Sequence, residues 1–512
     1  MPKRNRVTKR RTGAKKKSAR QQFVLLPTRG LQARQPNSSP AVRTALLSLN
    51  QRILNPDALA SDAIQLPPDM RVLDSIHEDG AKLVEMTPET ASALHASQPG
   101  LRIVPVVYYY PAIARHQTIA VTTKGTRKTA GALAVQVVSA QGEKPVANAT
   151  VVAFTDFDTK AGDQGKTDGS GKVSLALGGG TVKIDRLYVY AQSALWNLLK
   201  RNLTLANGAK FTLRPIDLSY TDELRYVYPN IALTAGTGVS VGVVDTGIAD
   251  HPDLTIAGGQ NTVVGENASD YGDNGEGHGT HVAGIIAAHG TAPNGVRGMA
   301  PGVRLFSFRV FGKGQPGASN YAIAKGVDAA VQNGCDLINM SLGGGSADDA
   351  TRAAIADARN AGSVVIVAAG NDDRQPVSFP GSDPLSIAIS ALGRKGTYPS
   401  DAVEVGDVMA PFASSDANYY ITSFSNVGPE IALTGPGDGI ISTFPGGYAV
   451  MDGTSMATPA VTGVAARLLA TRPDLLQMPR DASRSDAIAQ FLLKSGKPLG
   501  LGVTFEGRGL PS

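Results

Sequence analysis

Residues 220–512 predict an α/β fold, a parallel sheet covered by helices on both faces. Short apolar runs recur there at 239–244, 305–310, 337–340, 364–368 and 386–390. Helical patterns separate them at 281–288, 320–332 and 347–361. The runs are apolar at successive positions rather than at every second one, as strands buried on both faces require. In such sheets, sites form beyond the carboxyl ends of the strands. A basic, disordered tail (1–21), a small α+β domain (22–112) and a β-sandwich module (117–218) are expected to precede this region.

Residues 1–20 carry ten Lys or Arg and no acid, a self-repelling stretch that offers contacts to nucleic acid or anionic lipid, or only to water. This tail accounts for the net charge of +6, because the other 492 residues have 39 basic and 43 acidic side chains. Nucleic acid is therefore not an expected partner. Only Phe23-Val24-Leu25-Leu26 follows the tail, too short for the apolar stretch of a secretory leader. No apolar run reaches the ~18 residues that a membrane span needs. The expectation is a cytoplasmic protein or one exported by a route without a leader, with secretion as the alternative. The single cysteine, Cys335, excludes an intramolecular disulfide framework and suits a small buried thiol.

Within 22–112, residues 23–26 read as a strand, and Val42, Ala45, Leu46, Leu49 and Ile53 recur at helical spacing. A second strand is expected at 82–86. Thr87-Pro88-Glu89 then joins an N-cap, a proline at the first helical position and an acid in the first turn, opening a helix to about 95. Residues 101–110 return as one strand. In the module, strands are expected at 133–138, 149–154, 172–177 and 181–190, separated by Gln141-Gly142-Glu143, Thr167-Asp168-Gly169-Ser170-Gly171 and Gly178-Gly179-Gly180. Asp156, Asp158, Asp163 and Asp168 are either calcium donors or a solvated loop.

The chemistry concentrates in four stretches. Gly453-Thr454-Ser455-Met456-Ala457-Thr458-Pro459 delivers a serine to the first turn of an apolar helix. Unpaired N–H groups and a positive field lie there, so the serine is either a nucleophile beside oxyanion donors or an N-cap. The strand 241–244 ends in Asp245-Thr246-Gly247, a carboxylate that either orients another group or caps a turn. Gly277-His278-Gly279-Thr280-His281 opens a helix with two histidines three apart, without the spacing and intervening glutamate of a zinc-peptidase helix. The strand 364–368 runs into Ala369-Gly370-Asn371, whose amide donates to an oxyanion without acting as a base. Carboxylate, imidazole, hydroxyl and amide on the edge of one sheet supply an orienter, a base, a nucleophile and an oxyanion donor.

In that order the Asp245, His278 and Ser455 motifs resemble those of the subtilases, the subtilisin-like serine peptidases, over about 220–475. The resemblance implies a three-layer peptidase domain that hydrolyses proteins or peptides through an acyl-enzyme. Asp245 would orient the imidazole, His278 act as base and then acid, and Ser455 attack. Asn371 and the Ser455 N–H would hold the oxyanion, and His281 would be structural. Ser341, Leu342 and Gly343, with Ala369 and Gly370, match the edges that pair with a substrate strand. Phe379 matches the far wall of the pocket for the residue before the cleaved bond, and Asp372 and Asp373 are candidates for favouring a basic residue there. A structural calcium ion is implied at Asp253 and Asn294, although 290–296 departs from the family's pattern; catalysis itself needs no cofactor.

Residues 82–110 are similar to the end of a subtilase propeptide, which implies a precursor inhibited by its own N-terminal domain. The module resembles transthyretin-like modules of carboxypeptidases in Lys144-Pro145-Val146-Ala147-Asn148-Ala149 and in 167–172. A cut near 108–112 would keep the module, and a cut near 220 would remove it; the sequence leaves both open. Two alternatives stand beside a general endopeptidase: a processing peptidase for one cognate protein, and a catalytically silent binding protein.

Overall fold

Residues 19–33, 39–54, 69–114, 131–191 and 193–512 are described by the computed structural model of the chain. The basic stretch 1–18 and residues 117–130 of the expected module lie outside them. The chain divides into two compact units, Met1–Val106 and Val107–Ser512.

The first unit contains β1 (Gln21–Leu26), α1 (Pro40–Leu54), β2 (Arg71–Ser75), β3 (Lys82–Met86), α2 (Pro88–Ser97) and β4 (Arg102–Pro105). Its antiparallel sheet has the order β2-β3-β1-β4. Phe23, Leu25, Val84 and Met86 share one core with Val42, Leu46 and Leu49 of α1 and Leu94 of α2. Thr87 caps α2, its hydroxyl accepting the Thr90 N–H at 3.2 Å. β2 was not foreseen: it is an edge strand, half-exposed along most of its length, without the alternation that marks a strand.

The run 101–110, expected as a single strand, is two. β4 ends at Pro105, and the Val106 N–H still bonds the Gln22 carbonyl at 3.1 Å. From Val107 the chain belongs to the second unit, where it forms β5 (Tyr108–Pro111).

The second unit continues with β6 (Leu133–Ser139), β7 (Thr150–Asp156), β8 (Ala161–Lys166), β9 (Lys172–Leu175), β10 (Thr181–Tyr190), β11 (Leu198–Ala206) and β12 (Ala209–Leu213). They make two sheets, β11-β10-β7-β8 and β12-β6-β9. Alternate residues, among them Val135, Val137, Val151, Ala153, Leu187 and Val189, fill the core the two sheets share. β8, β11 and β12 were not foreseen. β8 reads Ala-Gly-Asp-Gln-Gly-Lys, without one β-branched residue, and forms only because β7 templates it. The module is anchored on the rest of its unit. The Leu199 N–H bonds the Asp401 carbonyl at 2.9 Å, Lys200 pairs with the Asp401 carboxylate at 2.9 Å, and the buried Trp196 ring meets Tyr220 edge-on at 5.4 Å.

After the short α3 (Glu223–Val227) come β13 (Ser240–Asp245), β14 (Ile256–Asn261), α4 (His278–Ala287), β15 (Arg304–Arg309), β16 (Ala318–Ser319) and α5 (Asn320–Gln332). Then follow β17 (Leu337–Met340), β18 (Leu342–Gly343), α6 (Asp349–Asn360), β19 (Val364–Ala368), β20 (Ser386–Arg394), β21 (Tyr419–Ile421), β22 (Ile431–Pro436) and α7 (Thr454–Leu469). The main sheet runs β14-β15-β13-β17-β19-β20-β21, with β22 also on β20, and it is parallel except for β21. Val241 and Val243 of β13 share a core with Val282 and Ile286 of α4 and Val461 and Val464 of α7, whereas Val244 approaches α5 at Gly326. Both faces are thus covered, which is why β13 carries no polar side chain from Val241 to Val244. β14 and β22 were missed because glycine and proline interrupt them. α4 starts at His278, earlier than the expected 281.

Candidate active site

Asp245 is the last residue of β13, His278 the first of α4 and Ser455 the second of α7, so one strand end and two helix starts bring them together. All three are fully buried. His278 Nδ1 lies 2.7 Å from Asp245 Oδ1, which also accepts the Thr246 N–H at 2.7 Å. A proton on Nδ1 leaves Nε2 as the basic nitrogen, and among the described residues Nε2 has no hydrogen-bond partner. The Ser455 hydroxyl instead donates to the Ser341 carbonyl at 3.0 Å.

The start of α7 is shaped by its glycine and its proline. Gly453 caps the helix at φ 146°, and a Cβ there would lie 2.6 Å from the Ala112 carbonyl oxygen. Pro459 has no N–H to give the Ser455 carbonyl four residues back. That carbonyl accepts the Ser341 hydroxyl instead, at 2.9 Å, and the Asn339 amide holds Ser341 Oγ at 3.0 Å.

The segment after β5 runs through this site. β5 is the middle strand of a small antiparallel sheet: Tyr108 and Tyr109 pair with β16, and Tyr110 and Pro111 pair with β18. The Ala112 N–H donates to the Ser341 carbonyl at 3.1 Å. The Ala112 carbonyl accepts the Ser455 N–H at 3.2 Å and also the Asn371 Nδ2 amide. Asn371 is oriented by Thr454, whose N–H and hydroxyl bond Asn371 Oδ1 at 2.9 and 3.0 Å. Beyond Ala112, the Ala114 N–H reaches the Asp452 carbonyl at 2.9 Å. One carbonyl with two donors, a buried hydroxyl beside it and a carboxylate-held imidazole are the components that acyl transfer requires.

Of the other residues singled out by sequence, Ser341, Leu342 and Gly343 line the segment as an edge strand. Gly370 lines a cavity of about 490 Å³ beside Ala112, with Gly343, Gly344, Asn371 and Ser378. Ala369 is buried behind it, its carbonyl accepting the Ser378 N–H at 2.9 Å. Asp372 is on the cavity rim, bonded to the Asn426 amide at 2.9 Å. Phe379 does not line that cavity: its ring lies 6.0 Å from the Tyr109 ring, and its backbone bridges Gly345. His281 Nε2 bonds the Ile440 and Ala449 carbonyls at 3.0 and 3.1 Å, a neutral imidazole whose burial pushes its pKa down to about 3. Sequence reasoning did not single out Thr454, Asn320 or Asp348 as site residues. Asp348 carries an N-cap signal for α6, which hides that its second oxygen serves another partner.

The donors at Asp253 and Asn294 do not fit a calcium ion as arranged. Asp253 Oδ2 accepts the Val296 N–H at 2.8 Å and the Tyr448 hydroxyl at 3.1 Å. The Gly290 carbonyl and the Thr291 hydroxyl are taken by the Arg297 guanidinium at 2.8 and 2.6 Å. In the module, Asp156 and Asp168 close turns by accepting the backbone N–H groups of Thr159, Ser170 and Lys172, and Asp163 of β8 accepts the Ala176 N–H just beyond β9. Among the described residues no group of three or more His, Cys, Asp or Glu is suited to a metal, and no helix is long and apolar enough to cross a membrane.

Comparison with known proteins bears on the same region. A model of the subtilase family matches residues 236–500. Subtilisin DY of Bacillus licheniformis is 41% identical over 242 residues, which cover 47% of this chain and 80% of that protein. A thermostable alkaline protease of Halalkalibacterium halodurans is 40% identical over 239 residues, 46% of this chain and 58% of that protein. Subtilisin Savinase of Lederbergia lenta is 37% identical over 239 residues, 46% of this chain and 78% of that protein. On the family match and these identities, the chain belongs to the subtilase family and is a serine endopeptidase.

Proposed function

We propose that this endopeptidase is made as a precursor whose groove is filled by its own residues 108–112, and that it cuts itself between Ala112 and Ile113. One observation carries the reading: the Ala112 carbonyl accepts hydrogen bonds from both Asn371 and the Ser455 N–H, as the carbonyl of a bond about to be cleaved must. The antiparallel pairing of β5 with β16 and β18 is the β-augmentation by which peptidase grooves hold extended substrates.

The chemistry then follows from the residues. The Ser455 hydroxyl leaves the Ser341 carbonyl and turns to His278 Nε2, which takes its proton as Oγ bonds the Ala112 carbon. Asn371 and the Ser455 N–H hold the oxygen as it becomes an anion, and Asp245 stabilises the imidazolium. When the carbon–nitrogen bond breaks, His278 returns the proton to the Ile113 nitrogen. Water repeats the sequence on the ester and frees the Ala112 carboxylate. No step calls on a metal.

A cut at this bond leaves residues 113–512 with the β-module attached, consistent with its anchoring through Trp196 and Asp401. The released N-terminal domain, still carrying β5, remains an inhibitor until it leaves the groove. We read the role of the calcium expected at Asp253 as filled by Arg297.

Fluorophosphonate reacts only with an activated serine hydroxyl and tests the nucleophile directly. The expected result is one label on Ser455, absent in Ser455→Ala. An unlabelled wild type that folds and has lost residues 1–112 would contradict the assignment.

A further inference from the structure

Three tyrosines stand in a row in β5, and only the middle one is buried. Tyr108 and Tyr110 are 49% and 38% exposed, and Tyr109 is fully enclosed. Given the cleavage proposed above, on which this inference rests, Tyr109 is the fourth residue before the cut bond. Its ring is pressed against Gly345, where a Cβ would lie 2.4 Å from the ring, and it faces Phe379. The hydroxyl at the far end is 2.6 Å from the Ser346 carbonyl and 2.5 Å from Asp348 Oδ2.

Asp348 is fixed before any tyrosine arrives. Its Oδ1 accepts the Ala350 and Thr351 N–H groups at 2.8 and 3.0 Å and the Asn320 amide at 3.1 Å. The carboxylate cannot swing away without uncapping α6. Oδ2 is therefore held, nearly buried, at the end of an apolar slot the length of a phenol. A phenylalanine in the slot would match the walls but bring no proton, whereas the single hydroxyl hydrogen of Tyr109 lies between Oδ2 and the Ser346 carbonyl. A buried acceptor deprived of its partner is what lets a site reject the analogue that lacks one hydroxyl.

We propose that this slot selects tyrosine: substrates of the enzyme carry a tyrosine four residues before the cleaved bond, and Asp348 is the residue that tells it from phenylalanine. The slot is a substrate-reading site, and the chain's own segment is its first occupant.

The test uses the purified full chain and three chromogenic peptides that differ only in their first residue: Tyr-Tyr-Pro-Ala, Phe-Tyr-Pro-Ala and Leu-Tyr-Pro-Ala, each with a p-nitroanilide. Competition from the chain's own tail lowers all three rates by one factor and leaves their ratios intact. The tyrosine peptide is expected to have a kcat/KM about 10- to 100-fold above the phenylalanine peptide, the range of a hydrogen bond to a charged group. Asp348→Ser keeps a capping oxygen for α6 but withdraws the acceptor from the slot. It is expected to lower the tyrosine-to-phenylalanine ratio about tenfold while the phenylalanine peptide is still cut. Equal rates for tyrosine and phenylalanine in wild type overturn the proposal, as does a ratio unchanged in Asp348→Ser. Absence of turnover of all three peptides would overturn the peptidase assignment of the site and this inference with it. That result is distinct from three equal rates.

Discussion

Asn371 donates to the Ala112 carbonyl only while its own oxygen is held, and Thr454 holds it through both its N–H and its hydroxyl. Thr454→Val keeps the shape and the backbone bond and removes the hydroxyl. We expect kcat to fall roughly tenfold, the worth of about one hydrogen bond, with KM nearly unchanged. Steady-state kinetics on a peptide substrate separate the two; a rise in KM alone would mean that Thr454 shapes binding instead. His281 offers a second test at this scale. The free imidazole binds a proton below its ordinary pKa of 6.5, and burial delays that in the folded chain until about pH 3. Across this window the unfolded chain holds more protons, so stability falls as the pH drops and His281 has no effect above it. The slope is at most about 1.4 kcal/mol per pH unit. His281→Gln keeps a donor for the Ile440 and Ala449 carbonyls and removes the titration. Its urea midpoint should therefore fall less than that of wild type between pH 7 and pH 4.

The loop 290–297 carries the prediction that belongs to elements. Arg297 spans it, bonding the Gly290 carbonyl, the Thr291 hydroxyl and the Ile231 carbonyl, and the Asp253 carboxylate is occupied by N–H and O–H donors. Chelation with EDTA should leave the thermal midpoint within about 1 °C, whereas Arg297→Ala should lower it by several degrees, in line with one to three kcal/mol for a lost network. A large drop with EDTA, reversed by calcium, would contradict this account of the loop. The elements also show how far a sequence can be read. The strands of the main sheet were legible where both faces are covered, because β13 from Val241 to Val244 and all of β19 carry no polar side chain and β17 carries only Asn339. β8, β14 and β22 were not, since their neighbours and not their side chains make them strands. The break between β4 and β5 was hidden for a similar reason: 101–110 has one composition, and only its partners change at Val107.

At the scale of the whole molecule, Asp245, His278, Ser455 and Asn371 lie 33 to 210 residues apart in the chain, yet each motif announced its chemistry because it sits at a strand end or a helix start. The occupant of the site was legible only through the propeptide resemblance, as one of two candidate stretches, 108–112 and the region near 220. Nothing in the side chains of Tyr-Tyr-Tyr-Pro-Ala-Ile singles out the bond proposed for cleavage, and β16, β18 and Asn371 set around it carry that proposal. For the same reason the sequence could not choose between a cut that keeps the β-module and one that removes it. Intact mass spectrometry of the wild-type chain and Ser455→Ala, incubated side by side, tests the central claim most directly. The account predicts that wild type resolves into residues 1–112 and 113–512 while Ser455→Ala stays at 512 residues. A wild type cut near 220, or one that remains whole while its peptidase activity is intact, would contradict it.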